Sequence, residues 1–320
     1  MLLGVTKQAY YKFDEGKAAA KDYLVTNALK FIREVRSIDP GIGGEKLWTM
    51  YNQEHGLFYR IGRDKFEDII NDYNLKVRKR NRVKTRTTNS KHDLPLYPNI
   101  IVDLIPTRPN QLWVADITYI PIWISKTRYV FAYLSIIMDA YTEEIVGWYL
   151  GDTLETCYPI KALQMALKRI EGQDVDLIHH TDRGCQYASL EYTELLKARG
   201  IRISMTECGD PKDNPQAERI NNTVKNELLK GLIYNSIDRL KEDLVVKIDF
   251  YNNRRPHMSI NMMTPAQAAL CEGEIEKKWH SFRTAAIKAA RENPLDIAEN
   301  SLPLRYCQGS PSGLRPPVNP

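Results

Sequence analysis

Three strand-like runs follow one another closely between residues 112 and 152, and they limit what this chain can fold into. The runs are rich in β-branched and aromatic residues and read LWVADITYIPIW, YVFAYLSIIMDA and EEIVGWYLGD. Their short connections predict an antiparallel meander. Helix and strand patterns then alternate as CYPIKALQMALKRIEG, VDLIHHTD, LEYTELLKARG and IRISMT, and two further helices are predicted at about 215–230 and 236–253. This succession predicts an α/β fold with a mixed sheet.

Residues 1–75 have the apolar periodicity of helices. Thr6 is positioned to cap a short helix, KQAYYKF, and a second apolar-periodic run covers roughly 20–36. Two further helices, GGEKLWTMYNQEH and GRDKFEDIINDY, are predicted on either side of a short turn. We interpret 1–75 as a DNA-binding region resembling a helix-turn-helix, although any small helical bundle has the same pattern.

A dense basic segment follows the helical region. KVRKRNRVKTRTTNSKH, residues 76–92, holds eight Lys or Arg and no carboxylate. The segment is either a solvated linker or an arm that binds DNA, because clustered cations gain affinity by releasing condensed counterions. Both readings hold for a linker that lies along DNA. The candidate DNA contacts are Lys76, Arg78, Lys79, Arg80, Arg82, Lys84 and Arg86.

Composition and the positions of the prolines predict further boundaries along the chain. A basic linker is expected over 76–106, the α/β region lies beyond it, and a C-terminal extension is expected over 271–320. In that extension, EIEKKWHSFRTAAIKAARENP predicts one helix, and the five-proline tail beyond it is predicted to be disordered. The chain has no run of ~20 apolar residues that could span a bilayer and no signal-peptide pattern. Its five cysteines lack CxxC pairing, which favours a cytoplasmic protein with reduced thiols.

Three carboxylates stand out in the α/β region. Asp116 interrupts an apolar strand, where a carboxylate is costly unless it is paired or binds a metal; the alternative is an edge-strand charge facing water. Asp182 ends a strand, where open α/β sheets place ligand groups. Glu218 lies early in a helix whose face continues through Asn222 and Lys225. The alternative interpretation of Glu218 and Lys225 is that they are ordinary surface residues of an amphipathic helix.

Two aspartates and one glutamate are a hard-oxygen ligand set suited to Mg²⁺, with Mn²⁺ as the alternative. Two such ions can activate the attacking oxygen and stabilise the leaving oxygen during phosphodiester cleavage. A zinc site at HHTDRGCQY is disfavoured, because His179 and His180 point to opposite faces of a strand and cannot readily converge on one ion. Cys185 is interpreted as a small turn residue.

The motifs resemble those of a known family. WVADITYI, HHTDRGCQY and DNPQAERINNTVKNE, with 35 residues between Asp182 and Glu218, resemble the D, D-35-E core of transposases and retroviral integrases. These motifs are most similar to those of the second-frame products of bacterial two-frame insertion sequences. YNNRRPH and TPAQA resemble the segments that close that core. The resemblance covers about 107–270.

The resemblance implies an RNase H-like fold, a mixed five-stranded sheet flanked by helices, preceded here by the N-terminal helical domain. It implies a transposase that cuts element ends and transfers the 3′-hydroxyl into DNA, using two metal ions. Asp116, Asp182 and Glu218 would be the catalytic, metal-binding triad. Lys225 would contact DNA near the reacting phosphate. Arg183, Gln186 and Tyr187 would shape the site, with Arg183 at the DNA. Independently of the resemblance, His180 shares a strand face with Asp182 and is expected near the metals, and Asn222 shares the helical face of Glu218 and is a candidate DNA contact.

The expected partners are DNA, further copies of this chain on DNA, and a product of the upstream frame. No membrane partner is expected. Two alternatives remain open at this point. An RNase H-like nuclease without a transfer step would share the same triad. A non-catalytic DNA-binding regulator would keep the fold without the chemistry, although the complete triad argues against it.

Overall fold

A computed structural model describes residues 15–77, 94–207 and 214–292. Five strands form one sheet in the order β3-β2-β1-β4-β5. The strands β1, β2 and β3 pair antiparallel, whereas β4 and β5 run parallel to β1. The predicted meander and the mixed five-stranded sheet are therefore confirmed. The strands are β1 Leu112–Trp123, β2 Tyr129–Asp139, β3 Ile145–Gly151, β4 Ile178–Thr181 and β5 Arg202–Met205.

Helices cover both faces of the sheet. The N-terminal helices are α1 Glu15–Ile38, α2 Gly44–His55 and α3 Arg63–Asp72. Those of the α/β region are α4 Cys157–Arg169, α5 Cys185–Ala188, α6 Leu190–Lys197, α7 Pro215–Thr223, α8 Ile237–Asn253, α9 Pro265–Ala268 and α10 Phe282–Glu292. A π-helical turn, Val224–Leu228, continues α7, and a 3₁₀ turn covers Met258–Ile260. None of the helices described here is long and apolar enough to cross a membrane.

Alternation along β1 explains the two hydrophobic layers. Leu112 and Val114 enter a cluster with side chains of α7 and α8, whereas Trp113 and Ala115 enter a second cluster with α4 and α6. Successive side chains of a strand point to opposite faces, so a fully covered central strand needs apolar residues at both parities. This arrangement rules out an edge-strand setting for Asp116.

The N-terminal helices share the first of these clusters. Phe31, Leu47 and Phe66 belong to the same set of buried side chains as Val224 and Leu244 of the α/β region. The helix predicted at 20–36 and the two helices predicted on either side of the short turn are confirmed as α1, α2 and α3. The short helix predicted after Thr6 lies outside the described residues. Burial against the α/β region, and not only local propensity, holds these helices in place.

The C-terminal extension departs from its predicted form. One helix was expected from Glu274 onward, but α10 begins only at Phe282, and the EIEKKWHS stretch before it is not helical. The guanidinium of Arg283 donates to the carbonyl oxygens of Ile101 and Val102, both at 2.9 Å, and Arg291 donates to the carbonyl of Asp103. Tertiary bonds to the 101–103 backbone thus fix α10 on the segment that leads into the core. The five-proline tail lies outside the described residues.

Gly147 marks the closest approach of β3 and α4. A Cβ at this position would lie 2.3 Å from the carbonyl oxygen of Ala162 and 3.1 Å from the amide nitrogen of Ala166. We expect Gly147→Ala to lower the free energy of unfolding by about 1–3 kcal/mol, because helix and sheet must separate to admit the methyl group. Urea unfolding followed by circular dichroism measures this.

Gly62 offers the matched control for that experiment. No atom lies within 4 Å of a Cβ at Gly62, and its φ of −64° suits any residue. Gly62→Ala should change the free energy of unfolding by less than about 1 kcal/mol. Equal effects of the two substitutions would contradict the steric argument.

Candidate active site

The site forms where β4 ends beside the middle of β1. β4 pairs with Leu112–Val114 of β1, and beyond Ala115 that side of β1 faces the loop after β4 and the start of α7. Asp182 directly follows the last residue of β4, and Asp116 lies two residues past the paired part of β1. Because β4 ends beside the middle of its parallel neighbour β1, the pairing brings Asp182 and Asp116 to the same level of the sheet.

The start of α7 is anchored to the same edge. The Asn214 side chain accepts a hydrogen bond from the backbone N–H of Ala217 at 3.4 Å, and its amide donates to the carbonyl of Ala115 at 3.2 Å. Pro215 occupies the first turn, where its missing N–H costs nothing. One residue therefore starts the helix and also fixes it beside Asp116, which places Glu218 in the first turn above the strand.

Asn221 makes the direct contact between helix and strand. Its amide donates to Oδ2 of Asp116 at 2.7 Å, while the backbone N–H of Ile117 donates to Oδ1 at 2.8 Å. The sequence reasoning missed Asn221 and selected Asn222, which is exposed and accepts a hydrogen bond from Asn226. The available signal was spacing, because residues three and four positions after Glu218 both lie near its face of the helix.

The charges of the triad act on one another. Burial, together with the negative charges of Asp182 and Glu218, raises the pKa of Asp116 to about 7, although the hydrogen bonds from Ile117 and Asn221 act in the opposite direction. The charges of Asp182 and Glu218 therefore act on Asp116 across the site. Such mutual repulsion is relieved when a cation binds.

The turn after β4 is held by its own motif residues. The backbone N–H of Gly184 donates to Oδ1 of Asp182 at 3.0 Å. Nε of Arg183 donates to the carbonyl of Thr206 at 2.5 Å, and the Gln186 amide donates to the carbonyl of Leu154 at 3.0 Å. These bonds fix the loop that presents Asp182, so Arg183 and Gln186 have a structural task besides any contact with a ligand.

Tyr187 lies buried beneath this turn. Its hydroxyl has no hydrogen-bond partner among the described residues. Burial raises the pKa of Tyr187 well above its ordinary value, with further contributions from Tyr192, Asp116 and Asp182. The hydroxyl therefore remains protonated and is a donor on the triad side of the core.

The two histidines of the motif separate as strand alternation predicts. His180 is fully buried, and its Nδ1 is bonded to Oγ of Ser204 on β5 at 2.9 Å. Nε2 of His179 is bonded to the Tyr192 hydroxyl at 2.9 Å, and burial lowers the pKa of His179 to about 3. His179 is thus a neutral residue of the second hydrophobic layer, on the face opposite His180.

The predicted DNA contacts are placed only in part. Lys225 is exposed in the π-helical turn after α7. Burial of part of its chain lowers the pKa of Lys225, and the charge of Asp116 opposes this shift, so the ammonium group lies within reach of the triad's field. Lys76 is exposed after α3. The other six candidates, Arg78, Lys79, Arg80, Arg82, Lys84 and Arg86, lie outside the described residues.

The three carboxylates are a donor set that suits a divalent cation. Within 15–77, 94–207 and 214–292, no three His, Cys, Asp or Glu side chains already form a metal-binding group. The residues nevertheless fit Mg²⁺ in chemistry, since carboxylate oxygens are its preferred protein ligands. Oδ1 of Asn221 is buried without a hydrogen-bond partner in the described residues, and it is available to accept a bond from a metal-bound water.

Comparison with known proteins identifies the family. The integrase core domain matches residues 106–211, and a second integrase core domain family matches residues 199–265. The chain is 35% identical over 270 residues to the 31 kDa protein of insertion element IS600 from Shigella sonnei, covering 83% of this chain and 95% of that protein. It is 30% identical over 271 residues to a protein named as a transposase for insertion sequence element IS986/IS6110 of Mycobacterium tuberculosis, covering 82% and 94%.

The chain belongs to the integrase-core transposases of insertion sequences. The first matched range of this transposase contains Asp116 and Asp182, and the second contains Glu218. The RNase H-like fold expected from the resemblance is confirmed by the mixed sheet and its flanking helices. The transposase is also similar to a chain of the simian T-cell lymphotropic virus intasome in complex with PP2A regulatory subunit B56 gamma, with a TM-score of 0.44, 18% identity, and 78% of each chain covered.

Repulsion among the three carboxylates predicts that ionisation of Asp116 lowers the stability of the metal-free transposase. Asp116 has a folded-state pKa of about 7, above its ordinary value of 3.8. A carboxylate whose pKa is raised by folding lowers the stability of the protein. This cost is absent below pH 4, grows between the unfolded-state and the folded-state pKa, and is complete above the folded-state pKa. We therefore expect Asp116→Asn to raise the free energy of unfolding by about 1–3 kcal/mol at pH 8, after allowing for partial exposure, and to change it little at pH 4.

Thermal unfolding at the two pH values, with and without Mg²⁺, measures this effect. Added Mg²⁺ should stabilise the natural protein and leave Asp116→Asn nearly unchanged. Asp68, an exposed carboxylate on α3, supplies the control, and Asp68→Asn should show neither effect. Lower stability of Asp116→Asn at pH 8 would contradict the proposed repulsion.

Proposed function

We propose that this transposase catalyses divalent-metal-dependent cleavage at the ends of an insertion sequence and transfers the resulting 3′-hydroxyl into target DNA. The observation that carries the proposal is the contact of the catalytic helix with the central strand. Asn221 bonds to Asp116 at 2.7 Å, and the charges of Asp182 and Glu218 raise the Asp116 pKa. Three carboxylates from separate elements that repel one another are stable together at neutral pH when a cation joins them.

Each residue of the site has a separate task in this proposal. Asp116, Asp182 and Glu218 would hold two Mg²⁺ ions, or Mn²⁺ in their place. Bound ions supply activation of the attacking oxygen and stabilisation of the leaving oxygen. Asn221 and the N–H of Ile117 orient the Asp116 carboxylate. His180, Gln186 and Tyr187 support the strand end and the turn that present Asp182.

DNA would lie across the exposed side of α7 and the π-helical turn. Lys225 and Asn222 are exposed there and are suited to phosphate contacts, which position the duplex without reading its sequence. Arg183 would add a contact beside Asp182. We propose that residues 1–75 bind DNA as a helix-turn-helix-like region and that the 76–106 linker follows the backbone through Lys76, Arg78, Lys79, Arg80, Arg82, Lys84 and Arg86.

Further copies of the chain are the first expected partners. Transposition joins two ends, so we propose a homo-oligomer on DNA, with an upstream-frame product as an additional partner. The reaction takes place where chromosomal DNA is, which places the protein in the bacterial cytoplasm. The core of each copy would span 107–270.

A transfer assay tests the proposal against its alternatives. Labelled terminal repeats of the native element are incubated with a target plasmid, the full chain and Mg²⁺, with and without the upstream-frame product. Joined products support the transposase. Cleavage without joining would support a nuclease of the same fold. Metal-independent binding, with no cleavage in either Mg²⁺ or Mn²⁺ and with the upstream-frame product present, would support a DNA-binding regulator.

A further inference from the structure

Four charged side chains meet where the N-terminal helices contact the α/β region. Oε2 of Glu227 accepts hydrogen bonds from Arg255 and, at 3.4 Å, from the ammonium group of Lys46. Nε of Arg255 donates to Oδ2 of Asp39 at 3.3 Å. Two cations thus face two carboxylates, and we name this set, Asp39, Lys46, Glu227 and Arg255, the four-charge cluster. Two of its members come from the N-terminal region and two from the α/β region.

Burial makes the cluster energetically sensitive. Asp39 is 0% exposed and Arg255 is 2% exposed. Desolvation alone would raise the pKa of Glu227, but Arg255 and Lys46 outweigh it and hold the Glu227 pKa below its ordinary value. Glu227 is therefore ionised and paired at neutral pH. Removing one partner of such a cluster leaves an uncompensated charge away from water.

The backbone reinforces the same contact. The N–H of Gly41, in the turn between α1 and α2, donates to the carbonyl of Glu227 at 3.0 Å. A Cβ on Gly41 would lie 2.3 Å from the Cα of Glu227, so only glycine allows this approach. The turn between the first two helices therefore lies directly on Glu227.

Glu227 belongs to the π-helical turn that extends the catalytic helix. Val224–Leu228 follows α7 without a break, and both end residues of the turn are fully buried. A π-helical turn is rare and marks a place where side chains are redirected, frequently at a functional site. Here it leaves Lys225 exposed near the triad and directs Glu227 into the interface with the N-terminal helices.

We infer that Glu227 is a positioning residue, through which the docked N-terminal helices hold α7 and its π-helical turn in the geometry that the reaction needs. The inference rests on the proposed function. Its physical basis is that Glu218 lies nine positions before Glu227 on one continuous helical segment, with Lys225 between them. The segment is held by β1 at Asn214 and Asn221 and by the N-terminal region at Glu227, and release of the contact at Glu227 alters the placement of Lys225 and Glu218.

The test compares Glu227→Gln and the milder Lys46→Gln with a matched control in the full chain. Glu54 on α2 pairs with Arg254 at 2.9 Å across the same interface, is well exposed, and does not belong to the four-charge cluster. Glu54→Gln therefore removes an ion pair between the same two regions without touching the π-helical turn. Hydrogen exchange of residues 218–228, melting temperature, affinity for labelled element ends and transfer turnover are measured for all variants.

We expect Glu227→Gln to lower transfer turnover about 10- to 100-fold, the range typical of residues that orient metal ligands. Affinity for element ends, measured where both variants are folded, should stay close to that of Glu54→Gln, while the melting temperature falls and hydrogen exchange rises at 218–228. Lys46→Gln should show the same pattern with a smaller loss. Turnover and exchange in Glu227→Gln equal to those of Glu54→Gln would overturn the inference, as would activity falling only in proportion to the folded fraction.

The two proposals fail in different ways. Absence of transfer by the natural chain under every condition would overturn the proposed function. Rapid exchange at 218–228 in Glu227→Gln would still support the mechanical part of the inference in that case, because exchange is measured without DNA. Transfer by the natural chain with no specific effect of Glu227→Gln would overturn the inference alone.

Discussion

Asp182→Asn is expected to reduce strand transfer by at least about 10³-fold while leaving the fold intact. Asp182 is held at the end of β4 by the N–H of Gly184, and an asparagine oxygen can keep that bond. The substitution removes the negative charge that, in the proposed function, would hold a divalent cation. Changes to residues that merely orient metal ligands cost 10- to 100-fold, so loss of a ligand should cost more. Transfer of labelled ends into a plasmid measures the effect.

Asp176 provides the matched control. It lies two residues before β4 and pairs with Arg202 at the surface. Asp176→Asn should retain transfer activity and Mg²⁺-dependent stabilisation, because exposed ion pairs contribute little. Natural levels of transfer by Asp182→Asn, in a protein that still folds, would remove Asp182 from the catalytic set.

Arg255→Met is expected to lower the free energy of unfolding by about 3–5 kcal/mol at pH 8. The substitution removes the cation that faces Asp39 and Glu227, and Asp39 is fully buried. Burial already raises the pKa of Asp39, and Arg255 opposes that rise. Without the guanidinium, a buried carboxylate must remain charged without compensation or take up a proton.

The pH dependence separates this mechanism from simple loss of packing. Destabilisation should be largest above the raised pKa of Asp39 and should diminish as the pH falls and the carboxylate is protonated. The neighbouring Arg254 pairs with Glu54 at the surface, so Arg254→Met should cost about 0–1 kcal/mol at any pH. Chemical unfolding at pH 8 and pH 5 measures both variants. A pH-independent loss in Arg255→Met would contradict the charge argument.

The sheet could be predicted from the sequence because its signals are local. Each strand of the meander has its own run of β-branched and aromatic residues, and the short links between runs leave few topologies. The helix expected from Glu274 was wrong up to Ser281. That stretch contains good helix formers, but the chain there makes tertiary contacts, such as the bond from the N–H of Lys278 to the carbonyl of Met258. Local propensity is a weak prior against such contacts.

The candidate carboxylates of the site could be chosen from the sequence, but the side chains that contact them could not. Asp116, Asp182 and Glu218 were singled out by chemistry and spacing, and the structure brings their charges together. The choice between Asn221 and Asn222 depended on a rotation that periodicity does not resolve, since both lie within one turn of Glu218. The structure buries Asn221 against Asp116 and leaves Asn222 exposed.

The four-charge cluster lay beyond reach of sequence reasoning. Lys46 and Glu227 are 181 residues apart, and each resembles a solvated charge on its own helix. Burial of the cluster depends on docking of the N-terminal helices, which no local pattern encodes. The π-helical turn could not be predicted from the sequence either, because the directions of its side chains depend on their contacts with the triad region and with the N-terminal helices.

The four-charge cluster also sets when during its own synthesis this protein can mature. Asp39 and Arg255 are 216 residues apart. At ~5–20 residues per second, roughly 10–40 s pass on the ribosome between the appearance of the acid and that of its cation. The helices on either side of Asp39 cannot complete their docking during that interval. A truncated messenger RNA that ends before the Arg255 codon therefore yields N-terminal helices in which Asp39 lacks this cation. Truncated copies of the gene would then not supply a natively docked competitor for the element ends.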